Sequence, residues 1–298
     1  MDTRKKLYSL LGDLPPLDNP ISADTAYAEE RKNYTLEKLT LNLNGTEAVP
    51  AYFVKPKTGD KKFPTVLFCH SHGGKYDRGK EELVQGNTYL TNPPYAESLT
   101  ELGLAALCID SPLFGERSGR DELDYYKETI LQGKVLWGLM VYDHLRALDY
   151  LHTRPDVDPS RLATLGMSMG SLMAWWIAAL DERIKVCTDI CCMVDYHTLL
   201  KKGLLKKHGI YFYIPKLLKY FDTSSINALI APRYHLSVNG SQDELAPLEG
   251  LDVIDTTLKH IYKELGAPEA WQLKKYPAGH EETTDMRKDI LKFLTTNL

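Results

Sequence analysis

The sequence predicts an α/β fold: a mostly parallel, twisted sheet with helices on both faces. Three observations carry this. Short, continuous apolar runs of strand length recur along the chain: PTVLFCH (64–70), LAALCID (104–110), LATLGM (162–167), IKVCTDI (184–190) and YHLSVNG (234–240). Runs this short without alternation suit strands buried on both faces. Helical periodicity fills the gaps between them, so strand and helix alternate. Finally, Gly166-Met167-Ser168-Met169-Gly170 stands between a buried strand and an apolar helix, the setting of a tight strand-to-helix turn.

Taken in order, residues 1–34 read as a short helix, a Pro-rich loop and a polar extended arm, and residues 35–298 as a single domain. Tyr34–Lys55 alternates in the β manner, and Asn44-Gly45 within it is a hairpin signal. An antiparallel pair therefore precedes the parallel strands. With the more amphipathic WQLKKYP (271–277), the total is about eight strands. One long helix is expected over Lys127–His152, with Ile130, Leu131, Leu136, Met140, Leu145 and Leu148 facing inward. A second follows Ser168 and is almost wholly apolar (LMAWWIAAL), and others cover 248–265 and 284–294. Residues 192–230 exceed what one crossover helix needs. They read as a helical lid inserted after the sixth strand, over one end of the sheet. The lysines of 201–219 read as its solvated face, with Leu, Tyr and Phe side chains covering a pocket.

Composition narrows the classes. Of 298 residues 43% are hydrophobic and 26% charged, as in ordinary globular proteins. There are 36 basic and 40 acidic residues, a net charge of −4, which disfavours nucleic acid as a partner. No apolar run approaches 18 residues, so no membrane span is expected. The N-terminal stretch MDTRKKLYSLLGDLPP lacks an apolar core long enough for a signal peptide. The five cysteines, Cys69, Cys108, Cys187, Cys191 and Cys192, are odd in number, form no CxxC pair and mostly sit in apolar runs. Free thiols in a reducing cytoplasm fit this usage.

The chemistry centres on Ser168. A strand-to-helix turn this tight crowds the nucleophile's neighbours, so glycine is needed two residues to either side. The turn exposes the Ser168 hydroxyl and aims the Met169 N–H toward a developing oxyanion. Serine needs a base, and the base an orienting carboxylate. Two later residues follow buried strands in the required chain order: Asp243 in VNGSQDELAP and His280 in YPAGHEE. Glu244 competes with Asp243 for the acid role. The second oxyanion donor is expected from the loop Cys69-His70-Ser71-His72-Gly73-Gly74, as the N–H of His72 or, one residue along, Gly73. His70 and His72 form an H-x-H pair, but no third ligand with a recognisable pattern accompanies them, and no metal or cofactor is expected. Asp110 and Arg117, in DSPLFGER, read as a loop ion-pair network at the site entrance.

These stretches resemble an α/β-hydrolase of the dienelactone hydrolase and acetyl-xylan-esterase-like type, related to prolyl oligopeptidases. The resemblance spans about residues 35–298 and rests on LFCHSHGG, LCIDSPLFGER, RPDVDPSRLATLGMSMGS, LIAPRYHLSVNGSQDELAP and YPAGHEE. It implies the α/β-hydrolase fold, with Ser168 as nucleophile, Asp243 as orienting acid and His280 as base. It also implies hydrolysis of small carboxylic esters with short acyl groups. The sequence departs from the family pattern in carrying Ser168 where dienelactone hydrolases proper carry cysteine. Ser71 and Ser171 stand where glycine is frequent. A peptidase or amidase, a lactone hydrolase and a non-catalytic binding scaffold are the alternatives. Tyr196, Tyr211, Tyr213 and Phe221 are candidate pocket walls. Oligomeric state is not legible.

Overall fold

The computed structural model describes residues 2–57 and 62–298. Among them, nine strands form one sheet: β1 (Ser22–Glu30), β2 (Tyr34–Asn42), β3 (Ala48–Pro56), β4 (Phe63–Cys69), β5 (Ala105–Ile109), β6 (Val157–Met167), β7 (Ile184–Ile190), β8 (Tyr234–Gly240) and β9 (Trp271–Tyr276). Their order is β1-β2-β3-β5-β4-β6-β7-β8-β9. The pairs β1/β2, β2/β3 and β3/β5 are antiparallel, and every later pair is parallel.

The helices are α1 (Thr3–Tyr8), α2 (Glu81–Gln85), α3 (Tyr95–Glu101), α4 (Glu122–Leu131), α5 (Leu136–Thr153), α6 (Met169–Leu180), α7 (Tyr196–Lys202), α8 (Leu217–Tyr220), α9 (Thr223–Asn227), α10 (Leu248–Glu264) and α11 (Thr284–Asn297). The sheet separates two cores. One takes Leu67 and Cys69 of β4 with side chains of α5, α6 and α10. The other takes Val66 and Phe68 of the same strand with side chains of α3 and α11. Successive side chains of a strand point to opposite faces, so a strand covered on both faces must be apolar throughout. That is why the central runs showed no alternation.

Eight of the strands are those expected. The ninth, β1, comes from the residues read as an extended arm. It is exposed along its whole length, so no apolar pattern marked it. The N-terminal helix is tied to the body of the fold. Arg4 donates to the carbonyls of Ala179 (3.0 Å) and Leu229 (2.8 Å), and Leu7 and Leu11 are buried in the first core.

The single helix expected over 127–152 is two, α4 and α5. The break falls at Gly133, whose φ of +74° is incompatible with a continuing right-handed helix. The inward facing of Ile130 and Leu131 fails with it, and Leu131 is 88% exposed. Leu136, Met140, Leu145 and Leu148 are buried as expected. In the hairpin, Asn42 pairs with Ala48, which leaves residues 43–47 as the turn. The buried Asn44 side chain accepts the N–H groups of Thr46 (2.9 Å) and Glu47 (3.0 Å) and donates to Asp143 (2.8 Å).

Residues 192–230 fold into α7, α8, α9 and short 3-10 turns, and α9 packs on α6 and α10. All five cysteines are buried and free. Burial pushes the thiols of Cys69, Cys108 and Cys192 well above the usual range. Among the described residues no helix is long and apolar enough to cross a membrane.

Candidate active site

The site sits at the C-terminal rim of the sheet, where β6, β8 and β9 end. Ser168 caps α6 with φ 58° and ψ −116°, a conformation that costs an L-residue about 1–3 kcal/mol. Its neighbours permit it. A Cβ on Gly166 would lie 2.5 Å from the Cys69 carbonyl oxygen, and one on Gly170 only 1.9 Å from the same atom. The Ser168 N–H donates to the Ile190 carbonyl (2.9 Å), which locks the turn against β7.

His280 follows β9. Its Nε2 lies 2.9 Å from Ser168 Oγ, and its Nδ1 lies 2.7 Å from Asp243 Oδ2. A carboxylate oxygen only accepts, so Nδ1 carries the proton and Nε2 presents a lone pair to the serine hydroxyl. The Asp243 side chain is 1% exposed, and its other oxygen accepts the Leu245 N–H (2.8 Å). Glu244 is the opposite case. Its carboxylate is 82% exposed and pairs with Lys207 (2.7 Å). The three side chains drawn from distant segments of the sequence are thus in mutual contact, and Glu244 is outside the chain of hydrogen bonds. His208, from the insert, lies near Asp243 and His280. Burial lowers its pKa, opposed by the Leu245 carbonyl and the Asp243 carboxylate.

The loop after β4 starts against this turn, where a Cβ on Gly170 would also lie 3.0 Å from the His70 carbonyl oxygen. Its Ser71 N–H is taken by Glu82 (3.0 Å), and its Gly74 N–H by His72 Nδ1 (3.0 Å). The N–H groups of His72 and Gly73 have no acceptor among the described residues. Both candidate oxyanion donors therefore remain free, as does the position of Met169 at the N-terminus of α6. Gly73 (φ +51°) and Gly74 (φ +69°) supply the left-handed backbone that the loop needs.

Because the Gly74 N–H donates to Nδ1 of His72, that ring is protonated on Nε2, which donates to Glu122 (3.2 Å). The imidazole is stacked on Tyr211 at 5.3 Å and packed edge-on against Tyr76 and Phe114. His70 lies beneath. It is buried, donates from Nδ1 to the Ser71 carbonyl (3.0 Å) and accepts the Ser111 N–H at Nε2 (3.1 Å). The two histidines of the H-x-H pair are thus engaged in separate networks.

Glu82, on α2, carried no signal in the sequence. It is buried in the site and collects four donors: the Ser71 N–H and hydroxyl, the Asn87 amide (2.7 Å) and the Tyr89 hydroxyl (3.2 Å). Ser71, where glycine was the frequent residue, therefore anchors the loop after β4 to Glu82. Ser171, the other departure, hydrogen-bonds from α6 to Asp189 of β7 (3.3 Å). Asp110 and Arg117 form an ion network. Asp110 holds the buried Lys80 (3.0 Å), while Arg117 reaches Asp143 (2.7 Å) and the Asp110 carbonyl (2.8 Å).

Of the four proposed wall residues, Tyr211 stacks on His72 of the loop after β4. Tyr196 and Tyr213 line a groove of the insert, and Phe221 is buried in the first core. The Met169 side chain is also a core residue.

Comparison with known proteins decides the family. Over 293 residues, 98% of each chain, the sequence is 51% identical to a protein named Putative hydrolase YtaP from Bacillus subtilis (strain 168). The chain belongs to this family of α/β-hydrolases. The hydrolase is also 30% identical over 166 residues to Esterase FrsA of Klebsiella pneumoniae (strain 342), a match covering 55% of this chain and 34% of that protein. No family model matches the hydrolase. Among solved structures, the glucuronoyl esterase from Solibacter usitatus superposes with a TM-score of 0.72 at 15% identity, over 99% of this chain and 91% of that one. The acetyl xylan esterase from Paenibacillus sp. R4 gives 0.64 at 20%, over 100% and 93%. At these identities the structural likeness establishes the shared fold.

Proposed function

We propose that this hydrolase cleaves small carboxylic esters, with short acyl groups, through a covalent acyl-serine. The single observation that carries this reading is the unbroken hydrogen-bond chain Ser168–His280–Asp243 beside two unclaimed backbone donors. Ser168 Oγ attacks the ester carbonyl carbon as its proton passes to His280 Nε2. Asp243 holds the imidazole in the needed tautomer and stabilises the imidazolium. The N–H groups of Met169 and His72 receive the oxyanion. As the tetrahedral species collapses, His280 returns the proton to the departing alkoxide. Water, deprotonated by the same nitrogen, then releases the acid and restores the serine.

The names of the relatives and neighbours support esters over amides. The Tyr211 ring stacked on His72 supports a short acyl pocket, and residues 192–230 act as the lid over it. Ser168→Ala is the direct test: p-nitrophenyl acetate hydrolysis should vanish while the circular-dichroism spectrum is unchanged. Full turnover by that variant would overturn the assignment.

A further inference from the structure

Residues 196–221 contain six lysines and no aspartate, glutamate or arginine, in a chain whose net charge is −4. Two of the lysines bind the body of the protein: Lys202 pairs with Glu249 and Lys207 with Glu244, each at 2.7 Å. Lys201, Lys206, Lys216 and Lys219 have no carboxylate partner among the described residues. The apolar side chains of this segment do not all face inward. Leu200, Leu218 and Tyr220 are 49%, 38% and 43% exposed.

Leu200 and Leu218 share one groove, and Tyr220 adjoins it beneath Lys219. Leu200 and Leu218 border a groove of about 270 Å³ whose floor includes Leu205, Ile214 and Leu217 and whose rim includes Lys216 and Lys219. Lys6 of α1 lies 3.9 Å over the Tyr220 ring and extends the cationic rim. The two tyrosine hydroxyls in the groove are already spent, Tyr196 on the Phe212 carbonyl and Tyr213 on that of Leu205.

We infer that this outer face of the insert is a docking surface for an anionic lipid bilayer. The partner must offer negative charge to the lysines and apolar matter to the leucines, yet it finds no free side-chain acceptor in the groove. A phospholipid headgroup layer over acyl chains has that chemistry. An acidic protein surface would meet the lysines but leave the exposed leucines poorly used. The inference does not depend on the ester reading, because it concerns the face of the insert and not the triad.

The test is sedimentation of the full chain with phosphatidylcholine vesicles, alone or with 30% phosphatidylserine (about 7:3), at low and at raised salt. Binding is expected only to the phosphatidylserine vesicles, with release at about 0.5 M salt as the charges are screened. The variant K216Q/K219Q should lose about thirty-fold in partitioning. Leu218→Ser should weaken binding at unchanged charge. Both variants should keep the wild-type circular-dichroism spectrum and melting temperature, which report their folding. Absence of binding to phosphatidylserine vesicles, equal binding to the two vesicle types, or undiminished binding by folded K216Q/K219Q would each overturn the proposal.

Discussion

Substituting Glu82 by glutamine tests whether the loop after β4, proposed to bind the oxyanion, is set from behind. One Glu82 oxygen accepts the Ser71 N–H, and the other accepts from the Ser71 hydroxyl, Asn87 and Tyr89. Asn87 cannot turn its amide to compensate, because its oxygen already accepts from Lys75 (2.7 Å). A glutamine therefore places its NH₂ against either the Ser71 N–H or the Asn87 NH₂. Both orientations set donor against donor. The loss is one hydrogen bond to a charged group, about 1.5–3 kcal/mol. If that energy holds the His72 N–H where charge develops only in the transition state, kcat falls about ten- to one-hundred-fold and KM stays within about threefold. Steady-state kinetics on p-nitrophenyl acetate, with thermal melting as a control for folding, separates this from general destabilisation. A folded variant with kcat within twofold of wild type would refute the positioning argument.

Three further outcomes are expected. Asp243→Asn should lower kcat by about 10⁴, as in other triads. Glu244→Gln should change it less than twofold, and the reverse pattern in parallel assays would reassign the acid. His235, fully buried, contacts Asp189 at 2.7 Å. Burial alone would lower its pKa, but Cys187 and Asp189 outweigh burial and raise it to about 9. A raised folded-state pKa gives stability that is complete below about pH 6.5 and lost as pH climbs through about 9. Melting temperature should decline over that interval in wild type and be flatter in His235→Gln, and parallel profiles would remove His235 as the cause.

The meeting of Ser168, Asp243 and His280 was legible because the proposed chemistry constrains residue type, chain order and position at strand ends together. Asp243 and Glu244 are adjacent, and only the turn of the loop after β8 decides which carboxylate faces His280. Glu82 was not legible. Its stretch, KEELVQ, has the composition of a solvated helix, and its partners reach it through loop closure, which no periodicity records. The central strands were read from their two-sided burial, whereas β1 is polar and paired only through its backbone. The break between α4 and α5 was hidden because a lone glycine inside an apolar repeat is compatible with an unbroken helix; the positive φ at Gly133 appears only in three dimensions.

The outermost ribbon, Ser22–Glu30, buries no side chain, yet it stands between solvent and the hydrogen-bonding rim of β2. Asp24 and the ion pairs Glu29–Arg31 (3.0 Å) and Glu30–Lys57 (3.1 Å) put charged side chains along what would otherwise be a bare template for another copy's backbone. Such a strand contributes little to the core and should exchange its amide protons early. It serves instead as a sacrificial selvedge: frayed first, and by its charge a poor place for one molecule to begin stitching itself to the next.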